Sequence, residues 1–152
     1  MKHRFLLDEN ILYHAIKGVD KHDNPDLTCA ELMLLIARNC HTITLNRFLQ
    51  RRYAVHMKEL ERVNAGVLQP IFLLRELIHN ADKVVMEYDD PPALPEHSQI
   101  PREDIDVVRA ALISHPIFVT AEDDLREAIS KCEALHLRAM RPTEALDLAR
   151  EI

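Results

Sequence analysis

The chain has 152 residues, a net charge of −6 and an apolar fraction of 47%, with two glycines and no tryptophan. This length suits one domain with its own core, so we expect a single domain over residues 1–152. The composition excludes a disordered chain, and no apolar run is long enough to cross a bilayer. Three cysteines without a close pair argue against a disulfide framework or zinc site. We therefore expect a soluble, unprocessed cytoplasmic protein without membrane contact.

The first half of the chain alternates between short apolar runs and amphipathic stretches. Residues 4–7 predict a strand, and residues 10–16 predict a helix. A second helix is expected over residues 27–39, where leucines and isoleucines recur at helical spacing. Residues 41–45 are rich in β-branched side chains and predict the next strand, and a long helix is expected to follow over residues 46–63.

The alternation continues beyond Gly66, which breaks the helical pattern. A helix is predicted over residues 67–79, and a short strand over residues 83–86. Residues 89–101 hold four of the eight prolines and predict a loop. Helical spacing then returns over residues 102–114.

The last third of the chain predicts two more strands and two more helices. A strand is expected over residues 117–120, a helix over residues 122–132, a last strand over residues 135–140 and a last helix over residues 142–152. Strands that alternate with helices imply parallel strands joined by right-handed crossovers. The predicted fold is an α/β three-layer sandwich with a central parallel sheet flanked by helices.

Acidic residues stand at three places where a strand ends or a helix begins: Asp8, Asp104, and Glu122 with Asp123. Each has an ordinary explanation, because acids cap helices and favour helix N-termini. Ligands of parallel sheets, however, bind beyond the carboxyl ends of the strands. Carboxylates gathered there suit magnesium or manganese. Such an ion can activate water and neutralise a phosphate, which makes phosphodiester hydrolysis the first reaction to consider.

Four segments of the chain, LLDENIL, EDIDVVRAAL, PIFVTAEDDL and RPTEALDLA, together resemble a PIN domain, a fold of many metal-dependent ribonucleases that include toxins of toxin–antitoxin pairs. The resemblance spans essentially the whole chain. It implies an endoribonuclease in which Asp8, Asp104 and either Glu122 or Asp123 bind Mg²⁺ or Mn²⁺ and activate water for attack on RNA. Two further residues, Asn10 and Thr120, would orient the ligands or the water.

The chain departs from the PIN pattern at two positions. Glu122 stands where the family has an aspartate after a strand-end threonine. Relatives often carry a glutamate immediately before the tyrosine of the third helix, where this chain has Arg52 before Tyr53. The competing hypothesis is therefore a catalytically weakened or inactive module that binds RNA or a protein.

A phosphoacceptor receiver domain ranks below both hypotheses. Such a domain would need a lysine after a late strand, and the last predicted strand carries Arg138 and no lysine.

Charge is distributed unevenly along the chain. The predicted long helix carries Arg47, Arg51 and Arg52, whereas residues 87–106 hold seven acids and one arginine. These three arginines are candidate RNA contacts, although a basic helix is more often a solvated face. The proline-rich loop and the acidic region make an antitoxin partner or a homodimer a further expectation.

Overall fold

The structure, a computed structural model, describes residues 2–63 and 68–151. Within them lie five strands: β1 (Arg4–Leu7), β2 (Thr42–Asn46), β3 (Val84–Glu87), β4 (Ile117–Val119) and β5 (Ala139–Met140). The same residues contain seven α-helices: α1 (Glu9–Lys17), α2 (Thr28–Arg38), α3 (Arg47–Val63), α4 (Leu68–His79), α5 (Ile105–Ala110), α6 (Asp123–Lys131) and α7 (Pro142–Arg150). The predicted break at Gly66 and helix start at Val67 lie outside the described residues.

The strands form one parallel sheet in the order β3-β2-β1-β4-β5. All five residues of β2 are buried, so both faces of the sheet are covered. The predicted three-layer α/β sandwich is therefore confirmed. None of the described helices is both long and apolar enough to span a bilayer.

The chain order of the strands creates a switch point in the sheet. From β1 the chain adds β2 and then β3 on one side, and it returns with β4 to the other side of β1. Loops that leave the carboxyl ends of β1 and β4 therefore run in opposite directions and open a crevice between them. Asp8 directly follows β1, and Glu122 lies three residues past the end of β4.

Two predicted elements are shorter than expected. The helix predicted over residues 102–114 divides into a 3-10 turn, Arg102–Asp104, and the short α5. Pro116 disfavours right-handed helical backbone at the preceding His115, which has a φ of 51°, so no helix continues past this point. The strand predicted over residues 135–140 is wrong over its first four residues. A second 3-10 turn, Glu133–Leu135, precedes His136 in the left-handed region, so only two residues of that stretch pair in the sheet.

The buried apolar side chains form a core that joins the sheet to its helices. Tyr53 of α3 is 1% exposed, and its hydroxyl donates a hydrogen bond to the carbonyl of Leu7, the last residue of β1. This bond fixes α3 against the end of the strand that leads into Asp8. The hydroxyl of Tyr53 therefore supports the position from which Asp8 leaves the sheet.

The substitution Tyr53→Phe is expected to lower the free energy of unfolding by about 1–2 kcal/mol, because it leaves the buried carbonyl of Leu7 without its hydroxyl donor. Urea unfolding followed by circular dichroism measures this change. The control is Tyr88→Phe, since Tyr88 is largely exposed. Equal stability of Tyr53→Phe and the unsubstituted protein would contradict a role for this bond.

Candidate metal centre

Three carboxylates from distant parts of the chain converge at the switch point of the sheet. Asp8, Asp104 and Glu122 each offer an oxygen, and these oxygens lie within 4.8 Å of one another. Asp8 and Asp104 are buried, whereas Glu122 is exposed. No lysine or arginine of the described residues forms an ion pair with any of the three. The group therefore carries negative charge that no neighbouring cation neutralises directly.

Asp8 both ends β1 and caps α1. Its Oδ1 accepts a hydrogen bond of 2.8 Å from the backbone N–H of Glu9, as an N-cap residue does. Its Oδ2 accepts a bond of 2.8 Å from the hydroxyl of Thr120, which follows β4. Burial raises the pKa of Asp8 to about 6, although both hydrogen bonds oppose the shift and nearby Glu122 and Glu9 reinforce it.

Thr120 and Asn10 tie the end of β1 to the end of β4. The Thr120 hydroxyl donates to Asp8 and accepts from the backbone N–H of Glu122 at 3.1 Å. The Asn10 amide donates to Asp8 at 3.2 Å and accepts from the N–H of Ala121 at 3.3 Å. These bonds fix the orientation of the Asp8 carboxylate and the turn that carries Glu122.

Among the described residues, no partner explains the burial of Asp104. It occupies the cap position before α5, but its side chain accepts no capping hydrogen bond. Its Oδ2 is buried and has no hydrogen-bond partner among the described residues. Burial first, and then the charges of Asp8 and Glu122, raise the pKa of Asp104 to about 7. An unpartnered buried carboxylate oxygen beside two other carboxylates is the arrangement that a bound cation would satisfy.

The two acids at the start of α6 differ in their surroundings. Glu122 is the N-cap residue of α6, but its side chain makes no capping bond and lies with Asp8 and Asp104. Asp123 instead pairs with Lys21 at 2.5 Å, and the guanidinium groups of Arg126 and Arg141 lie 2.7 and 3.7 Å from it. The structure therefore brings Glu122 into the acidic group and holds Asp123 outside it. Lys21 and Arg126 lower the pKa of Asp123 to about 2.

The acidic group opens into a cleft of about 180 Å³. Besides the three carboxylates, its lining residues are Glu9, Asn10, Phe48, Arg52, Glu103 and Val107. Arg52 is held by Glu9, whose Oε1 lies 2.7 Å from Nε and 2.6 Å from Nη2. The positive charge of Arg52 is thus paired at the rim of the cleft.

The sequence predictions did not include Glu9, Glu103 and Phe48 among the site residues. Glu9 adjoins Asp8, so its nearness could have been inferred from the sequence. Nothing in the spacing of Phe48 indicates that it lines the cleft. Arg47 and Arg51 lie at the N-terminal end of α3 and outside the residues that line the acidic cleft.

The donor set fits a hard divalent cation. Three carboxylates and no cysteine or histidine make up the group, which favours Mg²⁺ or Mn²⁺ over zinc. The unpartnered Oδ2 of Asp104 and the raised pKa values of Asp8 and Asp104 both reflect repulsion and burial that a cation would relieve. Asp8, Asp104 and Glu122 are therefore the residues that would hold it.

No protein-family model and no curated protein match the chain. One solved structure is similar in fold: a PilT N-terminus domain protein from the hyperthermophilic archaeon Sulfolobus solfataricus P2. The match covers 98% of this chain and 95% of that one, with 10% sequence identity and a TM-score of 0.45. PilT N-terminus is the full form of the name PIN. The function proposed below depends on the side chains described above.

The substitution Thr120→Val is expected to weaken binding of Mn²⁺ by about 10- to 100-fold, because it removes the hydroxyl that orients Asp8 while nearly keeping the side-chain shape. The readout is the dissociation constant of Mn²⁺ in isothermal titration. Thr143→Val, in the first turn of α7, serves as the control. An unchanged affinity for Thr120→Val would show that this hydroxyl does not position the carboxylate.

Proposed function

We propose that this protein is a nuclease that hydrolyses RNA phosphodiester bonds with the help of a divalent cation, Mg²⁺ or Mn²⁺. The observation that carries the proposal is the convergence of Asp8, Asp104 and Glu122 at the switch point of a parallel sheet. Two of these acids occupy helix cap positions without capping the helix. Helix capping therefore does not explain why their carboxylates are there.

The residues of the chain have separable roles in the proposed reaction. When bound, the cation supplies charge stabilisation at the phosphate and lowers the pKa of a water. Asp8 presents a carboxylate whose direction is fixed by Thr120 and by the N–H of Glu9. Asp104 offers a buried oxygen that accepts no hydrogen bond from the described part of the chain. Glu122 is the exposed member of the group and also lines the cleft.

The position of Arg52 favours this activity over a module that has lost it. An arginine that replaced the cation would pair with the three carboxylates. Instead Arg52 pairs with Glu9, and none of the described ion pairs joins it to Asp8, Asp104 or Glu122. The acidic group therefore keeps the charge that a divalent cation requires.

The toxin role that the sequence resemblance implies stays a prediction, since it depends on a partner chain.

Cleavage of a mixed-sequence RNA by the purified protein tests the proposal. The expected result is cleavage with Mn²⁺ or Mg²⁺, no cleavage with excess chelator, and recovery when the cation is restored. Asp8→Asn, prepared by the same purification, excludes a contaminating ribonuclease, because a contaminant would be unaffected by the substitution. Cleavage that persists in chelator, or that Asp8→Asn retains, would overturn the proposal.

A further inference from the structure

Two aromatic side chains remain open to solvent near the acidic cleft. Phe48 is 37% exposed and Tyr88 is 74% exposed. An aromatic ring offers a large apolar face whose burial is favourable. Single exposed rings are common, so exposure alone indicates little. The position of these two rings relative to the acidic residues is what distinguishes them.

Phe48 and Tyr88 lie on the same edge of the sheet as the acidic group. Tyr88 directly follows β3, Phe48 is the second residue after β2, and Asp8 directly follows β1. These strands are neighbours in the order β3-β2-β1, and parallel strands lie about 4.8 Å apart. Along this edge, in the direction from β3 to β1, Tyr88 is therefore followed by Phe48 and then by the three carboxylates. A linear ligand that reaches the carboxylates along this edge crosses both rings.

Each ring has a guanidinium group against it. The Arg47 guanidinium lies 6.0 Å from the centre of the Tyr88 ring, and that of Arg52 lies 5.5 Å from the centre of the Phe48 ring. Arginine contacts phosphates and also stacks on aromatic planes. Flat rings beside such cations form the combination that binds unpaired bases together with their backbone.

The surface at Phe48 is continuous with the acidic cleft. Phe48, Arg52 and Glu9 line both that cleft and a neighbouring groove of about 490 Å³ along α3. Arg51 adds a further cation to this groove. A polynucleotide with a phosphate at the carboxylates would therefore extend over Phe48 without leaving the surface.

We propose that Phe48 and Tyr88, with Arg47 and Arg52, form a base-stacking surface that receives unpaired nucleotides of an RNA strand beside the acidic cleft. The inference rests on the proposed function, which places a phosphate of the RNA at the carboxylates. Stacking on a protein ring requires a base whose face is free. Bases within a duplex are stacked on each other, so this surface selects single-stranded segments.

The chain lacks tryptophan, which allows a direct optical test. In Phe48→Trp and Tyr88→Trp the new indole is the sole tryptophan, and a base that stacks on it quenches its emission. The probes are a single-stranded RNA of about twelve nucleotides and the duplex of the same sequence, both with Ca²⁺ in place of Mg²⁺ or Mn²⁺, because carboxylate oxygens also hold Ca²⁺ and the phosphate then keeps its cation. Leu27→Trp is the control, because Leu27 is exposed and lies outside the linings of the acidic cleft and the α3 groove.

The expected result is quenching of Phe48→Trp and Tyr88→Trp by the single strand, with little effect of the duplex and none on Leu27→Trp. As a second measurement, Phe48→Leu and Tyr88→Leu should each weaken binding of the single strand about tenfold in fluorescence anisotropy. Absence of quenching, equal quenching by the duplex, or unchanged affinity in both leucine variants would overturn the inference.

These outcomes are separable from those of the proposed function. Because binding with Ca²⁺ and cleavage with Mg²⁺ or Mn²⁺ are measured in separate assays, quenching without any cleavage would support the stacking surface and reject the nuclease. Cleavage without quenching would support the nuclease and reject the stacking surface.

Discussion

Replacing Asp104 by asparagine is expected to lower the rate of metal-dependent RNA cleavage by about a thousandfold or more. Asparagine keeps the size of the side chain but removes its negative charge and one of its two acceptor oxygens. Asp104 supplies the carboxylate oxygen that has no partner among the described residues. Its loss would therefore weaken cation binding while leaving the surrounding hydrogen bonds intact.

Asp106→Asn is the matched control for this substitution. Asp106 lies two residues further along, in the first turn of α5, and it is exposed and outside the acidic group. Its replacement should change the rate by less than about threefold, within the few tenths of a kcal/mol usual for surface substitutions. A comparable loss in both variants, or full activity in Asp104→Asn, would remove Asp104 from the site.

The contribution of Asp8 and Asp104 to the stability of the cation-free protein is expected to fall as pH rises from about 4 to 8. Asp8 and Asp104 have pKa values of about 6 and about 7 in the folded chain, above the ordinary value of 3.8. The folded state therefore holds protons that the unfolded chain releases, so the contribution of these two groups to the free energy of unfolding falls with rising pH. It is fully present below pH 4 and lost once pH passes about 7.

Urea unfolding at pH 5 and pH 8 in chelator measures this dependence. Asp104→Asn should be more stable than the unsubstituted protein at pH 8. Its free energy of unfolding should also differ less between pH 5 and pH 8. Comparison with the variant isolates Asp104 from His3 and His14, whose pKa values are lowered by burial and whose contributions run in the opposite direction. If the free energy of unfolding changes equally with pH in both proteins, the raised pKa of Asp104 is contradicted.

Adding Mn²⁺ at pH 8 should raise the midpoint of thermal unfolding of the unsubstituted protein, because an ion that binds only the folded state stabilises it. Asp104→Asn should show little of this increase. The same experiment with Asp106→Asn measures how removal of an exposed charge outside the acidic group changes the increase in the unfolding midpoint. An equal increase in all three proteins would mean that the ion acts elsewhere.

The sequence predicted the alternation of strands and helices because each element has its own local signal. Apolar runs such as residues 4–7 and the helical spacing of α2 and α3 depend on near neighbours only. Two predictions were corrected, the helix over residues 102–114 and the strand over residues 135–140. Both segments depend on contacts with more distant parts of the chain. His115 and His136 adopt left-handed backbone, and the 3-10 turn Glu133–Leu135 lies directly before His136; these features are set by packing and by the following chain.

The sequence could propose the acidic residues, but it could not choose among them. Glu122 and Asp123 are adjacent, and each fits a helix N-terminus equally well. Only the placement of Lys21, Arg126 and Arg141 around Asp123 separates their roles. These cations come from three different segments, and their convergence depends on the tertiary fold.

Asp8, Asp104 and Glu122 are expected to bind a divalent cation together. Isothermal titration of the chelator-treated protein with Mn²⁺ at pH 8 measures this binding, with Asp104→Asn and Asp106→Asn titrated in parallel. We expect saturable binding in the unsubstituted protein and in Asp106→Asn, and at least about tenfold weaker binding in Asp104→Asn. Equal affinity in all three proteins, or no saturable binding in any of them, would exclude a cation site formed by these carboxylates.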